Sequence, residues 1–455
     1  MLTQGLGLFS GRRVLLLQGP VGPFFSRLAA DLRQAGAAVH KVNFNAGDWL
    51  FYPRGASHFR GTMDEWPAYM RALVDRFQID LILLFGDCRP IHLQARAVAA
   101  DMKVDVGVFE EGYLRPDHVT LERGGVNGFS TLPKDPRYYE SGFPGPKPTT
   151  QRVGNAYWPM VRFAAAYFFV GALGKLWFPH YQHHRPLSLW EGLPWLRSAW
   201  RKQWYRWMER EVQTRLTGPE GSERYFLVPL QVFNDSQVIN HAAWASVEHF
   251  IEATLHSFAQ HAPPDKWLVF KHHPMDRGYK DYRRQIRQWA RQAGVENRVF
   301  YIHDQHLPSL LEHALGVVVV NSTVGLSALF HKAPVKVCGQ CVYDIAGLTY
   351  QGTLEHFWRN AAAHPPQAQL YENFRSHLIA RTQINGSFYK PMPLPGVRTG
   401  MVWDSYCTNR LAAVDFSSAA APAHGTVTIT ESAPCCPVCM TESPQPPNCQ
   451  ARTIN

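Results

Sequence analysis

Residues Gly316 to Leu329 read GVVVVNSTVGLSAL. Val317 to Val320 are an uninterrupted β-branched run, the pattern of a parallel strand covered on both faces. The run stops at Asn321, Ser322 and Thr323, and Gly325 opens an apolar helix through Leu326, Ala328 and Leu329, with Ser322 or Thr323 placed as its N-cap. Hydroxyls at the junction of a strand and a helix N-terminus gather N–H groups and the positive end of a dipole, which suits a phosphate. The same residues also fit an ordinary capped turn, so the rest of the chain must decide between the two.

Upstream, the alternation continues. Strands are predicted at Tyr225–Leu230, Trp267–Lys271 and Val299–Ile302, with helices at Ala245–His261, Tyr279–Ala293 and Pro308–His313 between and after them; Pro334–Val337 is a further strand. A second set occupies the start of the chain. Its strands are Val14–Leu17, Ala38–Phe44, Asp80–Phe85 and Asp105–Phe109, and its helices are centred on Phe25–Leu32, Asp64–Phe77 and Ile91–Ala100. Strands separated by helices of this length imply doubly wound parallel sheets, whose ligands gather beyond the carboxyl ends of the strands. The fold class is therefore α/β, with two Rossmann-like units: one over residues 1–150, and a second over 218–390 closed by helices at Leu354–Asn360 and Gln369–Arg381.

At 455 residues, two domains plus additional segments are expected. Residues 151–217 break the alternation. Seven of the fourteen tryptophans fall there, and nine Lys or Arg between Gln151 and Arg210 face only Glu191 and Glu209, against a net charge of +10 for the whole chain. Phe163 to Leu176 is apolar but interrupted by Lys175 and reads as too short to span a bilayer. Leu196, Trp200, Trp204, Trp207 and Met208 lie along one face of a helix whose other face carries Arg197, Arg201, Lys202 and Arg206. That pattern fits an element resting on an anionic membrane surface, or an insertion packing its tryptophans against the second domain. Nucleic acid is disfavoured as a partner because the charge is confined to this insertion. The N-terminus shows no leader pattern, and the expected location is cytoplasmic, peripheral on the inner membrane. From about Pro391 the chain is rich in Pro, Ser, Ala and Thr, and 391–455 reads as a disordered tail. The pairs Cys338/Cys341 and Cys436/Cys439 are far apart and do not make a metal site.

Four strand ends carry chemistry: Glu110-Glu111-Gly112, Asp235-Ser236, Lys271-His272-His273-Pro274 and Ser322-Thr323. Together, EEGYLRP (110–116), QVFNDSQ (231–237), KHHP (271–274) and NSTVGLSAL (321–329), with YQHHRP (181–186) between, resemble the capsule polysaccharide synthesis family of Gram-negative bacteria, nearest its KpsS/LipB branch. The resemblance covers roughly Arg12 to Phe388. It implies a glycosyltransferase of GT-B architecture that uses CMP-Kdo to place β-Kdo on a phosphatidylglycerol-type lipid, starting the linker on which capsular polysaccharide is exported, within a capsule synthesis and export assembly.

By the same resemblance, His273 with Pro274 binds the CMP moiety and Asp235 is the carboxylate nucleophile of a retaining, two-displacement transfer. Ser322 and Thr323 suit the phosphate, and Lys271, His272 and Arg115 are candidates for the Kdo carboxylate. Glu110 or Glu111 is the base for the acceptor hydroxyl; adjacent residues in an extended segment face opposite ways, so only one is expected to point into the cleft, and Glu111 is taken as that one. A CMP donor carries a single phosphodiester and needs no obligatory metal, so no cofactor is expected. Two other functions fit the same residues: a non-catalytic export or scaffold protein, and an inverting, sialyltransferase-like CMP-sugar transferase.

Overall fold

The computed structural model describes residues 4–144, 150–183, 187–188, 192–233 and 244–411. The valine run forms strand β10 (Gly316–Val319), beside the central strand of the second lobe's sheet. Val317 and Val319 belong to one buried layer, and Val318 and Val320 to the layer on the opposite face. Successive strand residues point to opposite faces, so an unbroken apolar run fills two cores at once. Each such valine contributes about 1.5–3 kcal/mol relative to its exposed state.

The first sheet contains β1 (Arg13–Leu16), β2 (Ala38–Asn43), β3 (Ser57–His58), β4 (Leu81–Phe85), β5 (Asp105–Glu111), β6 (His118–Arg123) and the distant β12 (Gln383–Asn385), in the order β12-β6-β5-β4-β1-β2-β3. Helices α1 (Phe24–Gln34), α2 (Ala46–Phe51), α3 (Trp66–Phe77) and α4 (Pro90–Asp101) connect its parallel strands. The second sheet is parallel throughout. It contains β7 (Tyr225–Pro229), β8 (Trp267–Lys271), β9 (Val299–Ile302), β10 (Gly316–Val319) and β11 (Val335–Val337), in the order β11-β10-β7-β8-β9. Counted from its own first strand, each sheet has the order 3-2-1-4-5, so each has a switch point between its first and fourth strands. Two Rossmann-like lobes opening on one cleft make a GT-B architecture.

Between the lobes lie α5 (Tyr157–Leu173), α6 (Gly192–Met208) and α7 (Arg210–Thr217). Helix α5 runs on as a 3-10 turn, Gly174–Trp177, and is longer than the sequence suggested. Over these 21 residues it is long and apolar enough to cross a membrane, by length and composition only. Pro159 does not delay its start, because proline is tolerated in a first helical turn. One face of α5 is docked on the first lobe: the Tyr167 hydroxyl accepts from Asn45 Nδ2 at 2.6 Å and donates to Asp48 Oδ1 at 3.1 Å. The second lobe adds α8 (Val247–His261), α9 (Arg283–Gln292), α10 (Leu307–Glu312), α11 (Val324–Phe330), α12 (Leu354–Asn360) and α13 (Ala368–Thr382).

The C-terminal boundary also moves. The expected disordered tail from 391 is ordered as far as 411, ending in α14 (Cys407–Leu411). Phe388, Val397, Met401, Trp403 and Cys407 complete the core of the first lobe, and β12 pairs antiparallel with β6. Buried Asp31 fixes this return. Its carboxylate accepts from the Arg398 and Thr399 amides at 2.6 and 2.9 Å and from the Thr399 hydroxyl at 2.6 Å. Prolines and glycines there make turns rather than a helix, which gave the segment a disordered composition although its apolar residues are buried. In exchange, Tyr113, Leu132 and Tyr139 from the first half of the chain join the core of the second lobe.

Candidate active site

The carboxyl ends of the central strands of both sheets line one cleft of about 1060 Å³. From the first lobe it receives Gln18, Gly86, Glu110, Glu111 and Arg115, and from the second Gln231, Lys271, His272, His273, Pro274, Ser322 and Thr323. Nine of the ten site residues expected from sequence are thus brought together. The tenth, Asp235, lies outside the described residues; the chain reaches the cleft at Gln231 and Val232, shortly before it.

Glu110 and Glu111 end β5, and both line the cleft. The expectation that only one could reach it fails because the cleft wraps the end of the strand, where both faces are open. Their environments differ. Burial pushes the Glu110 carboxyl up to about 7; the Glu111 amide donated to Glu110 Oε1 (2.9 Å) opposes this, the charges of Glu111 and Asp87 add to it, and Arg89 pulls it back. Glu111 instead accepts from the Tyr389 hydroxyl at 2.9 Å. That tyrosine arrives on the returning C-terminal segment.

On the opposite wall, His273 caps a short 3-10 turn, Pro274–Asp276, and its Nδ1 accepts from the Met275 amide at 3.2 Å. The neutral ring then carries its proton on Nε2, a donor suited to phosphate or ribose oxygen. Lys271 and His272 differ in what they can offer. The Lys271 ammonium is engaged, donating to the His303 carbonyl at 2.9 Å, and burial lowers its pKa. His272 is buried, bonded through Nδ1 to the Tyr301 hydroxyl at 2.6 Å, and burial with the neighbouring His303 holds its pKa down at about 3. A group that stays neutral cannot pair with a carboxylate. Thr323 occupies the N-cap position of α11 without a side-chain cap bond, while Ser322 Oγ accepts from the Val324 amide at 3.3 Å. Since α11 has seven residues, the two hydroxyls matter more here than a helix dipole. A side chain on Gly325 would overlap the Tyr343 ring, whose hydroxyl donates to the Ser322 carbonyl, so glycine lets that ring buttress the turn.

A profile of the family described as "Capsule polysaccharide biosynthesis protein" matches residues 80–389. The chain is 43% identical over 393 residues to the Capsule polysaccharide export protein KpsS of Escherichia coli, covering 84% of this chain and 98% of that protein. It is 41% identical over 406 residues to the Capsule polysaccharide modification protein LipB of Neisseria meningitidis serogroup B, covering 86% and 95%. The chain belongs to the capsule polysaccharide biosynthesis family. Among solved structures it is similar to Anabaena Alr3699/HepE in complex with UDP-glucose (11% identity, TM-score 0.32, 81% of this chain and 95% of that one). It is also similar to a glycosyltransferase from Rickettsia africae (8%, TM-score 0.33, 81% and 92%). At these values neither adds to what the topology establishes.

Within this family member, the cleft also holds residues that sequence reasoning did not single out. Arg89 precedes α4, donates to Gln18 Oε1 at 2.8 Å and lies over the Phe85 ring at 5.4 Å. Nothing in the sequence of the strand end Phe85–Pro90 distinguishes Arg89 from an ordinary surface arginine. Asn127 reaches across to the Asn321 carbonyl at 3.4 Å, and Tyr181 receives a hydrogen bond from Gln18 at 2.7 Å. His184, Arg185 and Pro186 of the YQHHRP motif lie outside the described residues, as do Cys436 and Cys439. Burial pushes the Cys338 and Cys341 thiols up to about 12.

Proposed function

We propose that this protein is a retaining β-Kdo glycosyltransferase that uses CMP-Kdo to start a glycolipid linker on a phosphatidylglycerol-type acceptor in capsule biosynthesis. The observation that carries the reading is the pairing across one cleft of a half-buried carboxyl, pushed up to about 7, with a His-Pro turn whose Nδ1 is engaged and two hydroxyls. The names of its relatives, a capsule polysaccharide export protein and a capsule polysaccharide modification protein, support the process but not the donor. In this reading His273, Ser322 and Thr323 hold the CMP phosphate and ribose. Arg89 and Arg115 take the sugar carboxylate, in place of Lys271 and His272.

Asp235 attacks the anomeric carbon as the bond to the CMP phosphate oxygen breaks, giving a glycosyl ester and free CMP. Glu110 then takes the proton of the acceptor hydroxyl, whose oxygen displaces the ester and restores the carboxylate. A base with a pKa near the working pH is efficient at this step, which favours Glu110 over Glu111. Purified protein incubated with CMP-Kdo and lysophosphatidylglycerol should yield a glycolipid heavier by one Kdo residue, and Asp235→Ala should abolish it. Absence of product with every lipid acceptor, or full activity in Asp235→Ala, would refute the proposal.

A further inference from the structure

Helix α6 is fixed with its polar side inward. Arg201 Nη1 donates to the Arg277 carbonyl at 2.8 Å, Arg277 Nη1 donates to Ser198 Oγ at 3.2 Å, and Arg197 Nη2 donates to the Tyr279 carbonyl at 3.3 Å. Tyr205 stacks on His303 with ring centroids 3.6 Å apart, and Glu209, just past the helix, accepts from the His303 amide at 2.9 Å. These contacts reverse the expectation for a packed insertion: Arg197 and Arg201 meet the protein, and the tryptophans meet solvent. Trp200 and Trp207 are 63% and 62% exposed, and Trp200, Trp204 and Trp207 form a ridge of successive ring contacts at 5.8 and 5.4 Å.

The ridge is not isolated. An apolar groove of about 450 Å³ joins Trp195 to Ala165, Ala166 and Phe169 of α5, and farther along, Leu173, Leu176 and Trp177 are also exposed. On the other side, α9 carries Arg283, Arg284 and Arg287 with no acidic residue of its own, Arg291 at its end being paired with Glu296 at 2.9 Å, and Arg283 lies 5.5 Å over the Tyr205 ring of α6. Exposed indole rings flanked by arginines match the interface of an anionic bilayer, where the rings sit among headgroups and the guanidiniums pair with phosphates. We propose that the outer faces of α5 and α6, with the arginines of α9, form one docking surface for an anionic phospholipid bilayer. Tyr181, Gln182 and His183, between α5 and α6, line the catalytic cleft. The docked face and the cleft therefore belong to one insertion. The inference is independent of the sugar chemistry proposed above.

The test is co-sedimentation of the full-length protein with vesicles of phosphatidylcholine alone and of phosphatidylcholine enriched in phosphatidylglycerol, with tryptophan emission recorded alongside. Binding to the anionic vesicles with a blue-shifted emission is expected, with release by alkaline carbonate. Trp200→Ser/Trp204→Ser/Trp207→Ser should lose it at an unchanged melting temperature, and Arg284→Gln or Arg287→Gln should each weaken it about fivefold. Any of these results would overturn the inference: no vesicle binding, equal binding to neutral vesicles, variants that bind like the wild type, or resistance to carbonate as a spanning helix would show. A tryptophan ridge buried instead in a dimer, seen as a monomer only in the triple variant, would overturn it too.

Discussion

Replacing Glu110 by glutamine separates two consequences of the same burial. In the unfolded chain its carboxyl titrates at the ordinary value of 4.5, and in the folded protein burial moves it to about 7. The protonated form is therefore favoured by folding: its contribution is complete below 4.5 and is lost as pH rises through about 7. At about 1.4 kcal/mol per pKa unit the full shift corresponds to roughly 3 kcal/mol, and because Glu110 is only partly buried at the rim of an open cleft, about 1–2 kcal/mol should be realised. Glutamine keeps the shape and never ionises. In urea titrations, Glu110→Gln should match the wild type at about pH 4 and exceed it by that amount at about pH 8. Glu122, also pushed up to about 7 by burial, titrates in both proteins and cancels in the difference. Activity should move the other way. The wild-type rate should rise with pH through about 7 as the base deprotonates, and the variant should lose this limb and about a hundredfold to ten-thousandfold in rate. Parallel stability curves at both pH values would refute the burial argument, and a wild-type rate and pH profile in the variant would refute the base assignment.

Two further outcomes follow from the same structure. Arg89→Ala should raise the KM for the sugar nucleotide about tenfold or more, with little change in melting temperature, since one charge-assisted contact contributes about 1.5–3 kcal/mol; an unchanged KM would remove Arg89 from the site. Asp31→Ala should destabilise the protein by about 2–4 kcal/mol in denaturant titration, because the buried amide and hydroxyl of Thr399 and the part-buried amide of Arg398 lose their acceptor; a loss below about half a kcal/mol would show that the C-terminal return is held by its apolar contacts alone.

The parallel strands were legible because their apolar runs are continuous and bounded by turn residues: Trp267–Lys271 and Val299–Ile302 match their predicted limits. The antiparallel additions were not. β6 carries a mixed polar pattern, and β12 is three residues long and pairs with a strand far away in sequence, so no local signal marks it. The site was legible where its chemistry sits at strand ends, as at Glu110 and His273. It was illegible where a role depends on neighbours brought by the fold: burial separates Glu110 from Glu111, and burial with the neighbouring His303 keeps His272 neutral. Likewise, the amphipathic pattern of α6 identified two faces but not which one the protein would cover, because arginine can bond to carbonyls as readily as it meets water.

The late arrival of Trp403 bears on the order in which the molecule is assembled during synthesis. The lobe translated first lacks a wall of its interior until Phe388, Met401 and Cys407 have left the ribosome, whereas everything the other lobe buries precedes them in the chain. Domains generally form as units, amino-terminal first; here the half that begins the polypeptide is the last to close, and a nascent chain halted near residue 390 exposes the greasy underside of its opening strands to whatever chaperone waits there.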